Sequence, residues 1–345
     1  MTAAAEQAEH GVAAGRPLLA VRELSTYYRV RRGGGGQGTG GRRRVLRAVD
    51  GVSFEVHRGE MLALVGESGC GKTTVVQSVL RLTEPTGGSI IFDGVDLRQL
   101  SSRRMRSLRQ RLQVIDQDPY ESLDPRFRVR QIVEEPLLVH RLGGSRRERR
   151  EVILKALERA GLSPAEQYLE RHPHELSGGQ RQRVAIATSL VLNPELLLAD
   201  EPVSMLDVSV RAGILSLLDT LRRDGDLAIV MITHDLSTAA HFADRIAVMY
   251  LGRIVEEGPA REVVENPRHP YTRALISAVP KRDPRDTTKA EILTGETPNP
   301  VNVPPGCRFH PRCPIAVAEC RDTDPELRPP AGEAAAGHRV ACILS

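Results

Sequence analysis

Tryptophan is absent from this chain of 345 residues, and six tyrosines with five phenylalanines bring the aromatics to only 3%. So few rings leave little stacking surface for single-stranded nucleic acid, and no nucleic-acid partner is expected. No stretch approaches the ~18 consecutive apolar residues that a membrane-spanning helix needs. Met1 to Gly15 lacks the basic start and apolar run of a secretion signal. A cytosolic protein is the expectation, with any membrane role reached through partner subunits. Charge of one sign is not in excess either: 48 basic and 44 acidic residues leave a net charge of +4. Nearly all the positive charge is arginine, gathered at Arg42 to Arg44, Arg103 to Arg111 and Arg146 to Arg150. The glutamates and leucines among them favour solvated helix faces over phosphate or headgroup contacts. Apolar residues at 40% suffice for a globular core, and the length exceeds what one core usually takes, so a main domain with appendages is expected.

What is present centres on Gly66-Glu67-Ser68-Gly69-Cys70-Gly71-Lys72-Thr73-Thr74. The apolar run Met61 to Val65 before it reads as a buried strand. Val75, Val76, Val79 and Leu80 after it recur at helical spacing. Strand, glycine loop and helix give G-x-x-x-x-G-K-[ST] the context of a phosphate cradle. Its glycines permit backbone N–H groups to turn inward, and a helix starting at Lys72 adds its positive end. Lys72 supplies a point charge for the β- and γ-phosphates, and the Thr73 hydroxyl is placed for Mg²⁺.

Taken in order, the alternation over Leu18 to Tyr28, Val45 to Val56 and Ser89 to Phe92 predicts a small antiparallel sheet, with a glycine-rich loop over Gly33 to Gly41. Neighbours on a strand face opposite ways, so of Tyr27 and Tyr28 one is the candidate adenine platform, and we assign it to Tyr28. A strand over Arg111 to Ile115 leads to Asp116-Gln117-Asp118-Pro119, where Gln117 has an amide able to meet water and Mg²⁺. Arg126 to Gly161 reads as helical, with Val152, Ile153, Ala156, Leu157 and Ala160 on one face. Leu176-Ser177-Gly178-Gly179-Gln180 then opens another helix and presents a hydroxyl and bare N–H groups, a second anion-binding surface. One phosphate does not need two such loops from one chain, so this loop is assigned to a nucleotide held by a second copy of the fold. Leu196 to Glu201 is an apolar run closed by two carboxylates, as a buried parallel strand delivers them at its carboxyl end. Asp200 is the candidate Mg²⁺ ligand and Glu201 the group that polarises attacking water. A turn follows at Ser204 to Asp207, and a strand over Leu227 to Thr233 ends at His234, placed to touch the γ-phosphate.

In this order the set resembles the ATP-binding subunits of ABC transporters. Gly66 to Thr73 looks like the Walker A loop, Gln117 the Q-loop and Leu176 to Gln180 the signature motif. Leu196 to Glu201 is similar to Walker B with its catalytic glutamate, Asp207 lies in the D-loop and His234 is the switch histidine. Asn266 to Thr272 with Leu275, Ala278 and Pro280, and Gly306 to Pro314 with Cys320 and Cys342, resemble the extension of oligopeptide and dipeptide permease ATPases. Asp116, Thr188 and Met205 depart from the residues usual in the family. The resemblance implies an α/β fold, the ABC-type nucleotide-binding domain: a RecA-like P-loop core, an antiparallel β subdomain and a helical subdomain. It implies a tail over 1–16, the ATPase over 17–265 with its helical part near 118–175, and a Cys-containing extension over 266–345. It further implies ATP and Mg²⁺, a second ATP-binding subunit (identical or paralogous) and two transmembrane permease subunits. By the same resemblance, an extracytoplasmic solute-binding protein is expected to deliver the peptide, and the chain is expected to sit peripherally on the cytoplasmic face of the membrane.

Cysteine is scarce, with five in all. Cys70 sits in the phosphate loop. Cys307, Cys313, Cys320 and Cys342 are spaced C-x₅-C-x₆-C-x₂₁-C. Disulfides are not expected in a cytosolic chain, and structural zinc usually shows closer pairs. Four irregularly spaced thiolates, with Pro314 after Cys313, fit a [4Fe–4S] cluster better, with zinc as the alternative. Nickel import is the runner-up substrate. A soluble ABC ATPase without transport is less favoured, because the chain has one cassette and no insertion between its motifs.

Overall fold

A computed structural model describes residues 15–30, 45–118, 122–278, 295, 297–332 and 336–345. Residues 1–14 of the expected tail, the loop Gly33 to Gly41, the arginines Arg42 to Arg44, Pro119 and Pro280 lie outside the described residues. The strands are β1 (Leu19–Arg29), β2 (Val45–Val56), β3 (Met61–Val65), β4 (Gly87–Phe92), β5 (Val95–Asp96), β6 (Leu112–Ile115), β7 (Leu196–Asp200), β8 (Ala228–Thr233), β9 (Arg245–Tyr250), β10 (Arg253–Pro259) and β11 (Arg339–Val340). The α-helices among the described residues are α1 (Lys72–Val79), α2 (Ser102–Leu108), α3 (Val129–His140), α4 (Arg146–Arg159), α5 (Gly178–Leu190), α6 (Val208–Gly225), α7 (Leu236–Phe242), α8 (Ala260–Glu265) and α9 (Pro270–Ser277).

They build two sheets. One is antiparallel, in the order β2-β1-β4-β5; the other has seven strands in the order β11-β10-β9-β3-β8-β7-β6. Strands β9, β3, β8, β7 and β6 run parallel. The sequence explains why β3 sits near the middle: all five residues of Met-Leu-Ala-Leu-Val are buried, as a strand covered on both faces must be. Its alternation splits the interior in two. Met61, Ala63 and Val65 join the core shared with α3, α4, α5 and α6. Leu62 and Leu64 join the second core, where Val49, Val52 and Phe54 of β2 and Ile90 and Phe92 of β4 pack against α1. The antiparallel sheet therefore covers one face of the parallel one.

The helical run expected over Arg126 to Gly161 is two helices. Arg141, Gly143 and Gly144 all take positive φ, and Ser145 then caps α4, with Glu148 completing a reciprocal box. Two arginine groups also differ from the solvated faces expected. Arg109 donates to the carbonyls of Leu80 and Arg81 at 2.8–3.0 Å. Arg111 pairs with Glu195 and with Asp93, and lies 5.0 Å from the Phe92 ring centre. Arg109 thus caps the end of α1, and Arg111 ties the two sheets together. The end of the chain likewise returns to the core: β11 pairs with β10 at the edge of the seven-stranded sheet.

Candidate active site

Four neighbouring parallel strands, β3, β8, β7 and β6, end on the same edge, and their carboxyl ends carry residues far apart in sequence. Val65 is level with Thr233, and Asp200 with Ile232. The phosphate loop thus follows β3, His234 follows β8, Asp200 and Glu201 close β7, and Gln117 follows β6. In open α/β sheets this edge is where ligands bind.

The loop after β3 wraps the start of α1. Gly71 has φ +111°, and a Cβ there would lie 2.1 Å from the carbonyl oxygen of Ala48; one on Gly66 would lie 2.2 Å from that of Met249. Only glycine permits those approaches. Lys72 is buried, and its Nζ donates to the carbonyls of Gly66 at 2.7 Å and Glu67 at 3.0 Å. Those bonds hold the ammonium inside the loop's curve. Ser68, Gly69 and Thr73 are exposed on the rim, Thr74 is half-buried, and Cys70 is buried beneath. Burial pushes the Cys70 thiol up despite Lys72, so it packs as a neutral side chain.

Asp200 is buried, and its Oδ1 has no hydrogen-bond partner. Burial raises its pKa, opposed by a hydrogen bond from Thr73 and by Lys72, while Glu201 and Asp116 push it further up. An orphaned carboxylate oxygen beside the Thr73 hydroxyl suits a hard cation with oxygen ligands. The residues present therefore fit Mg²⁺, and the unusual Asp116 adds negative charge to the same spot.

Glu201 is half-buried and takes φ +45°, a conformation side chains rarely adopt. From there its carboxylate reaches residues at two other strand ends. Its Oε1 lies 3.3 Å from Nδ1 of His234, and its Oε2 accepts from Nε2 of Gln117 at 3.3 Å. Both partners are exposed on the open side of the site. Glu201, His234 and Gln117, from three strands, therefore meet within one chain.

The other predicted residues do not join them. Ser177 is the exposed N-cap of α5: its Oγ accepts from the Gln180 N–H at 3.3 Å while Gln180 Oε1 accepts from the Ser177 N–H at 3.0 Å. A Cβ on Gly179 would lie 2.6 Å from Val210 Cγ1, so this loop presses on α6, whose exposed N-cap is Asp207. Tyr28 is exposed, whereas the Tyr27 hydroxyl donates to Asp50. Sequence reasoning missed Tyr271, Thr297 and Arg312, which contact Glu67 from the far end of the chain.

The four tail cysteines are free. Burial, and then the neighbouring Cys320 and Cys342, push the Cys307 thiol up to about 11. Cys313 is raised for the same reasons. The thiols are thus gathered, yet among the described residues no group of three or more His, Cys, Asp or Glu is arranged to hold a metal. The expected metal centre is not a formed ligand set here: the four side chains come near one another without three of them converging on one point among the described residues.

Residues 49–204 match the family model described as ABC transporter, and residues 255–320 match that of the oligopeptide/dipeptide transporter C-terminal region. The oligopeptide transport ATP-binding protein AppF of Bacillus subtilis is 45% identical over 330 residues, which cover 95% of this chain and 97% of that protein. The chain belongs to the ATP-binding subunits of ABC transporters. The dipeptide transport ATP-binding protein DppF of Escherichia coli is a further relative of this ABC subunit, at 44% identity over 318 residues, covering 92% of this chain and 93% of that one. Among solved structures, a dimeric ATP-binding cassette bound to ADP and Pi in a post-hydrolysis state matches with TM-score 0.60 at 30% identity, covering 70% of this chain and 99% of the cassette. The ABC fold expected for the nucleotide-binding core is borne out.

Proposed function

We propose that this chain is the ATP-hydrolysing subunit of a binding-protein-dependent importer of oligopeptides or dipeptides. The observation that carries the reading is the convergence of Lys72, Thr73, Asp200, Glu201, His234 and Gln117 at four adjacent strand ends. The two transport relatives and the matched C-terminal region point to peptides rather than nickel.

In this reading the loop Gly66 to Thr74 cradles the phosphates, and Lys72 neutralises charge on the β- and γ-groups. Thr73, Asp200 and Gln117 would hold Mg²⁺, which would supply charge neutralisation for the phosphates. Glu201 Oε2 accepts the proton of the attacking water, while Gln117 and His234 fix the carboxylate and the γ-phosphate end of the site. Tyr28, exposed on β1, stacks on adenine. Ser177, Gly178, Gly179, Gln180 and Asp207 serve the nucleotide of a second ATP-binding subunit, so each pocket is shared between two chains. Two permease subunits take up the resulting motion through the helical part near 118–175. No helix among the described residues is long and apolar enough to cross a membrane, in keeping with a peripheral seat on the cytoplasmic face. The division into an ATPase at 17–265 and an extension at 266–345 belongs to the same proposal.

For the tail, the finer reading is a [4Fe–4S] cluster on Cys307, Cys313, Cys320 and Cys342, with zinc as the alternative. The proximity of the thiols supports it and their arrangement weighs against it. Iron and acid-labile sulfide in anaerobically purified protein would establish it; their absence removes it. For the transport role, expression with and without the permease subunits is the test. The chain is expected to sediment with membranes only when they are present, and equal recovery in both cases would refute an importer subunit.

A further inference from the structure

Glu67, the second residue of the phosphate loop, has every polar group engaged. Its carbonyl accepts from Lys72 at 3.0 Å. Its N–H donates to Oη of Tyr271 at 2.9 Å. One carboxylate oxygen accepts from Thr297 Oγ1 at 2.7 Å and from Arg312 Nη1 at 2.9 Å; the other accepts from Arg312 Nη2 at 3.2 Å. The first bond is internal to the loop. All the others come from residues more than 200 positions away.

These partners are themselves fixed. Arg312 is 8% exposed, and its guanidinium lies 5.9 Å from the Tyr250 ring centre. Tyr250, Tyr271 and Phe309 are fully buried and pack with ring centres 4.7–5.4 Å apart. In a chain so poor in aromatics, this is a concentrated anchor. It grows from β9, the strand next to β3, so it stands directly behind the phosphate loop. A two-pronged pair between a buried guanidinium and a half-buried carboxylate differs from an exposed surface pair, whose worth is small. A glycine-rich loop left to itself samples many conformations, and holding it in one lowers the cost of binding.

We propose that the C-terminal segment acts as a brace on the phosphate loop, with Arg312 and Tyr271 as positioning residues that set the affinity for ATP. Neither residue touches the nucleotide. They act through Glu67, which keeps the N–H groups that follow it directed into the cradle. Nucleotide binding and tail docking are then coupled, each favouring the other. This rests on the ATP-binding reading, and the experiment separates the two.

The test measures binding of a fluorescent ATP analogue and steady-state ATPase kinetics on the full chain. Wild type is expected to bind and Lys72→Ala to lose tight binding; a wild type that binds nothing would sink the ATP reading itself. Arg312→Gln and Tyr271→Phe are expected to weaken binding and raise KM by roughly tenfold, with kcat at saturating ATP within about twofold. Arg312→Lys, which keeps the charge but not the fork, should recover part of the loss. Wild-type affinity in a folded Arg312→Gln protein would overturn the brace. Should that variant not fold, the near-isosteric Tyr271→Phe decides alone, and unchanged KM there would overturn it equally.

Discussion

At the residue scale, the site depends on a few groups held against their preferences. Glu201 sits at positive φ, and Asp200 is buried with an unpaired oxygen. Glu201→Gln keeps the shape and the hydrogen-bonding reach of the side chain but removes its capacity to accept a proton. ATP binding should persist within a few-fold while turnover falls by about 10²- to 10⁴-fold. Turnover near wild type in a phosphate-release assay would move the base to another residue. The residues at the strand ends were legible in the sequence because the chemistry of phosphate binding restricts both residue type and context. The partners of Glu67 were not. Tyr271 and Arg312 lie in stretches that resemble the permease extension, but nothing local points them or Thr297 to Glu67, and only the return of the tail brings them to the loop. The Asp116 substitution was visible, but the structure was needed to show that its charge reaches Asp200.

At the element scale, periodicity located the strands well where burial is complete. Met61 to Val65 and Leu196 to Asp200 are buried throughout and carry the expected ends. It failed where a break depends on two residues: Gly143 and Gly144 part α3 from α4 inside what reads as one arginine-rich helix. It also gave no sign of β11, whose two residues join the sheet by register with β10 alone. The tail is pinned to the antiparallel sheet through Asp50, which receives the Tyr27 hydroxyl and the Arg308 guanidinium. Burial pushes the Asp50 carboxyl up, but those two donors outweigh it and hold the group below its ordinary value of 3.8. A carboxylate depressed in the fold stabilises it above the ordinary value, and that contribution is lost as pH falls through the lowered one. Melting temperatures measured across acid pH should therefore drop below about pH 4 in wild type. Asp50→Asn should melt lower at neutral pH and show a shallower acid decline. Parallel pH curves for the two proteins would rule out this clamp.

At the scale of the whole molecule, the signature loop is the telling feature. Ser177 stands exposed at the start of α5, with the half-buried glycines after it, apart from the Glu201, His234 and Gln117 cluster, and so this loop serves no phosphate of its own chain in the proposed reading. In that reading a second ATP-binding subunit completes the pocket, and turnover would release the pair. The 30% identical cassette with ADP and Pi is itself dimeric. Whether the partner is a copy of this chain or a paralogue leaves the geometry of this chain's half unchanged. The most direct measurement is a density map of the Glu201→Gln protein, with whatever subunits co-purify, in ATP and Mg²⁺. The triphosphate should lie between the loop Gly66 to Thr73 and a signature loop from another subunit, with Ser177 facing that subunit's nucleotide. A triphosphate enclosed by one chain alone, with Ser177 turned to solvent, would contradict the account.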